Sequence, residues 1–464
     1  MADRDPGDIK KVARCPGEGW EEILAADAIQ PPEFMAKDQY QYLGSEALDA
    51  KRWIDPAFFQ QEIEKMWPNV WQMAAREEEM PEVGDYVTYD NAGRSYLLVR
   101  QDDGSIRAFH NVCLHRGRKL MTESGFADQF YCPFHGFAWN IDGSIKNIPC
   151  KWDFSHCTDK KMQLPEASVG RWGGYIFVRD SAEGPTLEEW LAPLPDYFKQ
   201  WKHEECYTAA WVGKVVKANW KIVMEAFMES YHAYATHPQL MPFMGDANAA
   251  YHVLSDTVNV NYTPFGTMSP HVAGADKTEQ WIIDEFVKYN GRSADNYDES
   301  KGDISVPAGE TARQALAAAM RETSAKLFKR DYSETSDSEL LDALVYNVFP
   351  NWALWGGFMP NIVYRWRPWN DHEHTLMEVR VLVRVAPGED MPRAAPFHLL
   401  TDDEAWTAAS EMGVLGGVVQ QDMDNMELVH EGLKVSKNGL VELGDYQEIR
   451  IRHFHQTLDT YLKA

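Results

Sequence analysis

Two groups of side chains along this 464-residue chain have the types and spacing of metal ligands. The first is Cys113-Leu-His115, followed sixteen residues later by Cys132-Pro-Phe-His135. Two thiolates and two imidazoles suit a tetrahedral Zn²⁺, and they equally suit a [2Fe–2S] cluster with both cysteines on one iron and both histidines on the other. The common zinc finger pairs like with like, CxxC and then HxxxH. Here each loop offers one Cys and one His and so reaches both irons, which favours the cluster over zinc.

The second group is His232, His237 and Asp422. Two histidines five residues apart sit about 140° round an ideal helix, so both face one ion only if the helix ends between them. Pro238 supplies that end, because the residue before a proline is pushed out of α geometry. In the late stretch LGGVVQQDMDNMELVHEG the spacing predicts a helix capped by Gly432, with an apolar stripe at Leu415, Val419, Met426 and Val429. Asp422 falls on that stripe, where a carboxylate is costly unless it binds a cation. Asp424 shares its side with Gln420, Gln421 and Glu427 and is expected in solvent. Two imidazoles and one carboxylate on one face, with open positions opposite, make a non-haem Fe(II) site able to bind O₂.

The elements that must hold these groups differ along the chain. Residues 1–52 are polar and mixed, and are expected to form short helices packing on something larger. A helix is predicted from Pro56 with Asp55 as its N-cap. From about Trp71 to Asp180, Val/Tyr/Phe/Ile-rich runs alternate with turn pairs Asp103-Gly104, Asp142-Gly143 and Gly173-Gly174, the pattern of a small antiparallel β domain. A Pro-rich linker follows. The second half opens with a strand, then one helix through NWKIVMEAFMESYHAYATH, in which Glu225, Glu229 and His232 line one stripe. Near Ala308 to Lys329 a further helix is predicted, then strands through VYNVFPNWALWGGFMPNIVYRWRPWN and HTLMEVRVLVRVAP, then closing helices.

The run NVCLHRGRKL with YCPFHGFAW resembles the Rieske motif of the large (α) subunits of ring-hydroxylating oxygenases, with Phe137 where Trp is usual. Asn219-Trp220-Lys221, Glu225, the acid-x-Tyr-His run ending in His232, His237, Asp422 and VFPNWALW are similar to the same family. The resemblance implies an α+β protein: an N-terminal extension (1–52) packing on the catalytic domain, an all-β Rieske [2Fe–2S] domain (53–184), and a catalytic mononuclear-iron domain (185–464) with an antiparallel sheet flanked by helices, of the helix-grip type. It implies Cys113, His115, Cys132 and His135 on the cluster, and His232, His237 and Asp422 on a mononuclear Fe(II). It further implies a homotrimer, with or without a β subunit, in which Glu229 couples His135 of one copy to His232 of the next. Glu229 stands where aromatic dioxygenases commonly carry Asp, and Ala226 where Asn is frequent.

The same resemblance implies an oxygenase with O₂ as co-substrate, fed by a separate ferredoxin or flavin reductase, because the chain carries no GxGxxG motif. Arg116, Arg118 and Lys119 form a basic island beside the cluster loop, suited to an acidic donor or simply to solvent. Phe227, Ala233, Met241, Leu354, Trp355 and Phe358 are the apolar candidates to line the substrate pocket. The expected reaction is hydroxylation, first of all ring cis-dihydroxylation, of an aromatic or other apolar compound. The runner-up is a monooxygenase or demethylase of a quaternary amine, with Trp352, Trp355, Trp366 and Trp369 as a cation cage. From another class comes a Rieske electron carrier with an appended binding domain.

Composition sets the outer bounds. With 71 Asp+Glu against 45 Lys+Arg, the net charge of −26 argues against a general grip on nucleic acid or anionic membrane. Neither an apolar run of membrane-spanning length nor a basic-then-apolar leader is present, so a cytoplasmic location is expected. Six cysteines are too few for a disulfide framework in so long a chain.

Overall fold

The computed structural model describes residues 14–15, 17–274, 276–291, 304–358 and 361–463. The leader reading on residues 1–11, part of the polar stretch after Ala273, and Met359 and Pro360 lie outside the described residues. The chain forms two compact units, Gln60–Trp190 and, separately, residues up to Phe59 together with Leu191–Lys463. The boundaries thus fall a few residues later than those expected from sequence, at both ends of the β unit.

In the unit Gln60–Trp190, seven strands form one sheet in the order Gln72–Arg76, Tyr175–Arg179, Glu166–Trp172, Ile106–His110, Arg94–Arg100, Asp85–Asn91, Gly125–Phe126. A smaller sheet holds Gln129–Tyr131, Ala138–Asn140 and Ile145–Asn147. The turn pairs act as expected: Gly104, Gly143, Gly173 and Gly174 all have φ between +59° and +80°, the region a Cβ disfavours. The core between the sheets is built of Phe109, Phe130, Phe137, Trp139 and Leu164, with Cys113 and Cys132 among them.

The other unit is organised round an eight-stranded sheet, in the order Ala250–Val253, Val258–Thr263, Ala343–Val348, Trp352–Trp355, Asn361–Pro368, Thr375–Arg384, Cys206–Val216, His398–Leu400. All neighbours are antiparallel except the last, which runs parallel to Cys206–Val216. The alternation of HTLMEVRVLVR yields a strand, yet its charged positions are not solvated. Glu378 is buried between Arg365 (2.7 Å) and Arg367 (3.2 Å), and these guanidinium groups outweigh the cost of burial and hold its carboxyl down at about 2. Helices Trp220–Glu225 and Val414–Val435 touch each other, and the C-terminal helix Ile449–Leu462 packs on the strands Ala250–Val253 and Val258–Thr263.

The N-terminal segment belongs to this unit. Its helix Trp20–Ala25 stacks Trp20 on Tyr262 at 5.3 Å, and Asp27 grips the buried Arg313, which also holds Asp342. Asp55 caps the helix Pro56–Gln61 by accepting from Ala57 N at 2.8 Å, as its position before proline predicts. No helix among the described residues is long and apolar enough to cross a membrane.

Candidate metal centres and substrate cavity

The two Cys/His loops share one backbone plan. The Cys113 carbonyl accepts from Gly117 N and its N–H donates to Arg118 O, while the Cys132 carbonyl accepts from Gly136 N and its N–H donates to Phe137 O, all at 2.7–2.9 Å. Gly117 (φ +74°) and Gly136 (φ +78°) permit these turns. Both thiols are buried, and the rings of His115 and His135 meet at 4.6 Å. The Nδ1 atoms of both histidines are buried with no hydrogen-bond partner, which a metal bond would remedy. Burial, His135 and Arg116 push His115 below its ordinary value, keeping it in the neutral form that ligation needs. Phe137, in the usual Trp position, stacks flat on His115 at 4.6 Å.

The second group, His232, His237 and Asp422, converges. Asp422 Oδ1 lies 2.9 Å from His237 Nε2 and 3.4 Å from His232 Nε2, and accepts no well-aligned hydrogen bond from either. Three lone-pair-bearing atoms aimed at one point, with Asp422 buried, are the arrangement a divalent cation satisfies.

The continuous helix expected across Asn219–His237 is broken. It runs Trp220–Glu225, resumes as the single turn Ala233–Thr236, and is non-helical between. Side chains claim the N–H groups a helix would use: Tyr251 OH accepts from Ser230 N (3.1 Å) and Glu229 Oε2 from His232 N (2.9 Å). The late helix runs Val414–Val435, past Gly432 to Ser436, and Val429 on its stripe is exposed. Asp422 is buried and Asp424 exposed, as read from the stripe.

Each imidazole is fixed by its remaining nitrogen. Glu229 Oε1 sits 2.7 Å from His232 Nδ1, and Gln421 Oε1 2.9 Å from His237 Nδ1. Such partners set the tautomer and orient the ligand. Gln421, expected in solvent, was concealed by its place one residue before Asp422; it is held in turn by Gln239 at 2.7 Å. Glu225 is no ligand. It accepts from Trp53 Nε1 at 3.0 Å and meets His455 Nε2 at 2.9 Å, and burial pushes it up to about 8.

A cavity of about 600 Å³ opens beside the trio, lined by Phe227, Ala233 and Trp355 together with Phe243, Phe265 and Val345 among others. Met241, Leu354 and Phe358 do not line it. Strand alternation explains Leu354: Trp355 shares a face with Val345, whereas Leu354 pairs with Tyr346 on the other face. Met241 packs with Leu240, Ile282 and Leu316, and Phe358 against Tyr332. Of the four tryptophans weighed as a cage, only Trp355 lines this space. A second cleft, about 370 Å³, reaches Glu229 and His232 and carries Glu225, Glu442 and Glu448 on its walls.

Fold and ligand sets together define a two-centre iron protein with a Rieske domain. The chain belongs to the family described as "Ring hydroxylating alpha subunit (catalytic domain)", matched over residues 196–464, and residues 70–158 match the "Rieske [2Fe-2S] domain". Its cofactors are accordingly a [2Fe–2S] cluster and a mononuclear iron, with O₂ as co-substrate of the family.

The glycine betaine monooxygenase oxygenase subunit of Chromohalobacter salexigens is 31% identical over 227 residues, 47% of this chain and 51% of that protein. The large oxygenase component of a Ralstonia naphthalene 1,2-dioxygenase system is 36% identical over 209 residues, 43% of this chain and 47% of that protein. The match spans about half the length of these relatives. Among solved structures, a quaternary ammonium Rieske monooxygenase with L-carnitine gives a TM-score of 0.61 at 18% identity over 89% of this chain and 95% of that one. A naphthalene 1,2-dioxygenase bound to phenanthrene gives 0.63 at 21% identity over 92% and 94%. These two likenesses are of fold.

Proposed function

We propose that this chain is a terminal oxygenase component that takes electrons from a separate ferredoxin or flavin reductase and adds O₂ to an aromatic or other apolar compound, by ring cis-dihydroxylation. The observation that carries the reading is the cavity itself: a space of about 600 Å³, walled by aromatic and aliphatic side chains, with His232, His237 and Asp422 on its edge. Iron bound there would supply open coordination positions for O₂ beside the substrate, and the cluster would supply electrons. The chain's own part is to orient both imidazoles through Glu229 and Gln421, to exclude water with the apolar wall, and to hold the ring of the substrate against Phe227 and Trp355.

Quaternary-amine monooxygenation is the second reading, favoured by Glu229 and by the betaine relative. Against it, no Lys or Arg among the described residues lines the cavity, so the carboxylate of a betaine would meet no cationic side chain there. A head-to-tail trimer is supported by charge: Arg116 and Arg118 are exposed beside His115, while the cleft at Glu229 is walled by carboxylates.

The test is turnover. Protein reduced anaerobically and then given O₂ with a panel of aromatic hydrocarbons and quaternary amines should yield a hydrocarbon carrying two added oxygen atoms, by mass. His232→Ala should abolish product while leaving the visible spectrum of the cluster intact; undiminished product from that variant would remove the assignment.

A further inference from the structure

The stretch between the helices Trp220–Glu225 and Ala233–Thr236 carries Glu229 and His232, and it lacks the hydrogen bonds a continuous helix would give it. In an unbroken helix the N–H of His232 would donate to the carbonyl of Met228, four residues back. Here that N–H is held by Glu229 Oε2 at 2.9 Å, so the carbonyl of Met228, a residue only 1% exposed, must find another donor. The donor is Arg450, which lies 222 residues away in sequence and gives Nη1 to Met228 O at 2.9 Å.

Arg450 is fully buried near the start of the C-terminal helix Ile449–Leu462. A buried guanidinium is costly unless each of its N–H groups is paired, and all five are. Nε donates to Asn259 Oδ1 at 2.7 Å, Nη1 to Met228 O and to Asn261 Oδ1, and Nη2 to Val345 O at 3.0 Å and to Asn347 Oδ1. Asn259 pairs with Asn347 and Asn261 with Val345, so the sheet-side acceptors come from two rungs of the ladder between adjacent strands. Asn261, gripped through its carbonyl oxygen, in turn donates Nδ2 to Ser230 Oγ at 3.2 Å, while Ser230 N donates at 3.1 Å to the hydroxyl of Tyr251 on the strand Ala250–Val253. Both chain neighbours of Glu229 are thereby tied to the sheet, Met228 through Arg450 directly and Ser230 through Asn261 and Tyr251.

We propose that Arg450 is a positioning residue for the mononuclear metal centre. By taking the Met228 carbonyl it stands in for the His232 N–H, keeps the helix open, and leaves Glu229 free to hold His232 at both its backbone N (2.9 Å) and its Nδ1 (2.7 Å). Without it, the Met228 carbonyl would draw the His232 N–H back into a helical bond and pull Glu229 off the imidazole. Lysine cannot replace it, because an ammonium is a compact charge with three N–H groups and cannot span five acceptors. The inference rests on the reading of His232, His237 and Asp422 as the metal ligands.

The experiment titrates Co²⁺, a stand-in stable to O₂, by calorimetry into the full-length, cluster-containing protein whose mononuclear site has been emptied by mild chelation. Arg450→Lys should weaken Co²⁺ binding by about 10- to 100-fold, the usual cost of losing a group that orients a ligand. Amide exchange over residues 226–232 should also quicken in the metal-free variant. Asn347→Ala removes an Arg450 partner on the sheet side alone, so it should lower the thermal midpoint and leave Co²⁺ affinity unchanged. If Arg450→Lys does not fold, Asn261→Ala, which removes the partner on the loop side, carries the comparison with an expected loss of about 3- to 10-fold, the range of one net hydrogen bond. Unchanged Co²⁺ affinity in whichever of these two variants folds, amide exchange that does not quicken, or an equal loss in Asn347→Ala would each overturn the positioning role while leaving the ligand trio in place. Wild-type protein that binds Co²⁺ no more tightly than His232→Ala would overturn the ligand trio and the inference with it.

Discussion

Gln421 shows how much at a metal centre depends on groups that never touch the ion. His237 reaches Asp422 at 2.9 Å only with its ring in one orientation, and the 2.9 Å bond from Nδ1 to Gln421 holds that orientation. Gln421→Ala should therefore keep the fold yet weaken iron affinity by about 10- to 100-fold, the usual cost of losing such a partner. Iron retention against a graded chelator series checks this; unchanged retention would mean the cavity wall alone orients the ring. Spacing and residue type pointed to seven candidate ligands, because Cys, His and a misplaced carboxylate are rare in these positions. They did not reveal Gln421, whose partners His237 and Gln239 lie far away in sequence and whose side chain is common on surfaces.

Glu225 joins three elements: it takes the indole N–H of Trp53 from the short helix Lys51–Ile54, rides on the helix Trp220–Glu225, and meets His455 of the C-terminal helix. Burial raises its pKa from 4.5 to about 8, against the opposing pull of the Trp53 hydrogen bond, Lys221 and Arg52. The folded chain thus holds this proton more tightly than the unfolded one. Its contribution to stability is complete below about 4.5, declines as pH rises, and is lost through about 8. The slope is up to about 1.4 kcal/mol per pH unit. Thermal unfolding from pH ~5 to ~9 should show this decline, and Glu225→Gln should flatten it; parallel curves would count against the protonated acid. At this scale the sequence was readable where local rules dominate, as in the Asp55 cap and the Gly turns. It misled where side chains took over backbone partners, as in the helix broken at Ser230 and His232.

At the scale of the whole chain the two iron centres can be counted. Metal-replete protein should contain three irons per chain, two with the visible spectrum of a cluster that includes histidine ligands, and one removable without bleaching that spectrum. Elemental analysis before and after mild chelation checks it, and two irons per chain in metal-replete protein, with the cluster spectrum intact and no oxygenated product, would point to an electron carrier instead. The architecture followed from texture, β-rich runs with paired turns and then mixed helices and strands. The pocket wall did not, since Leu354 and Trp355 differ only in which face of a strand they occupy.

The helix Val414–Val435 supplies Asp422 to the candidate metal-binding trio and Val414, Leu415 and Val418 to the cavity wall. Widening the pocket from that side shifts a candidate ligand as well, whereas Val345, Ile362 and Val381 of the sheet wall have no metal-binding side chain. Diversification towards new compounds, in evolution or in the laboratory, is therefore channelled to the strands, and the helix is the conservative half of the pocket.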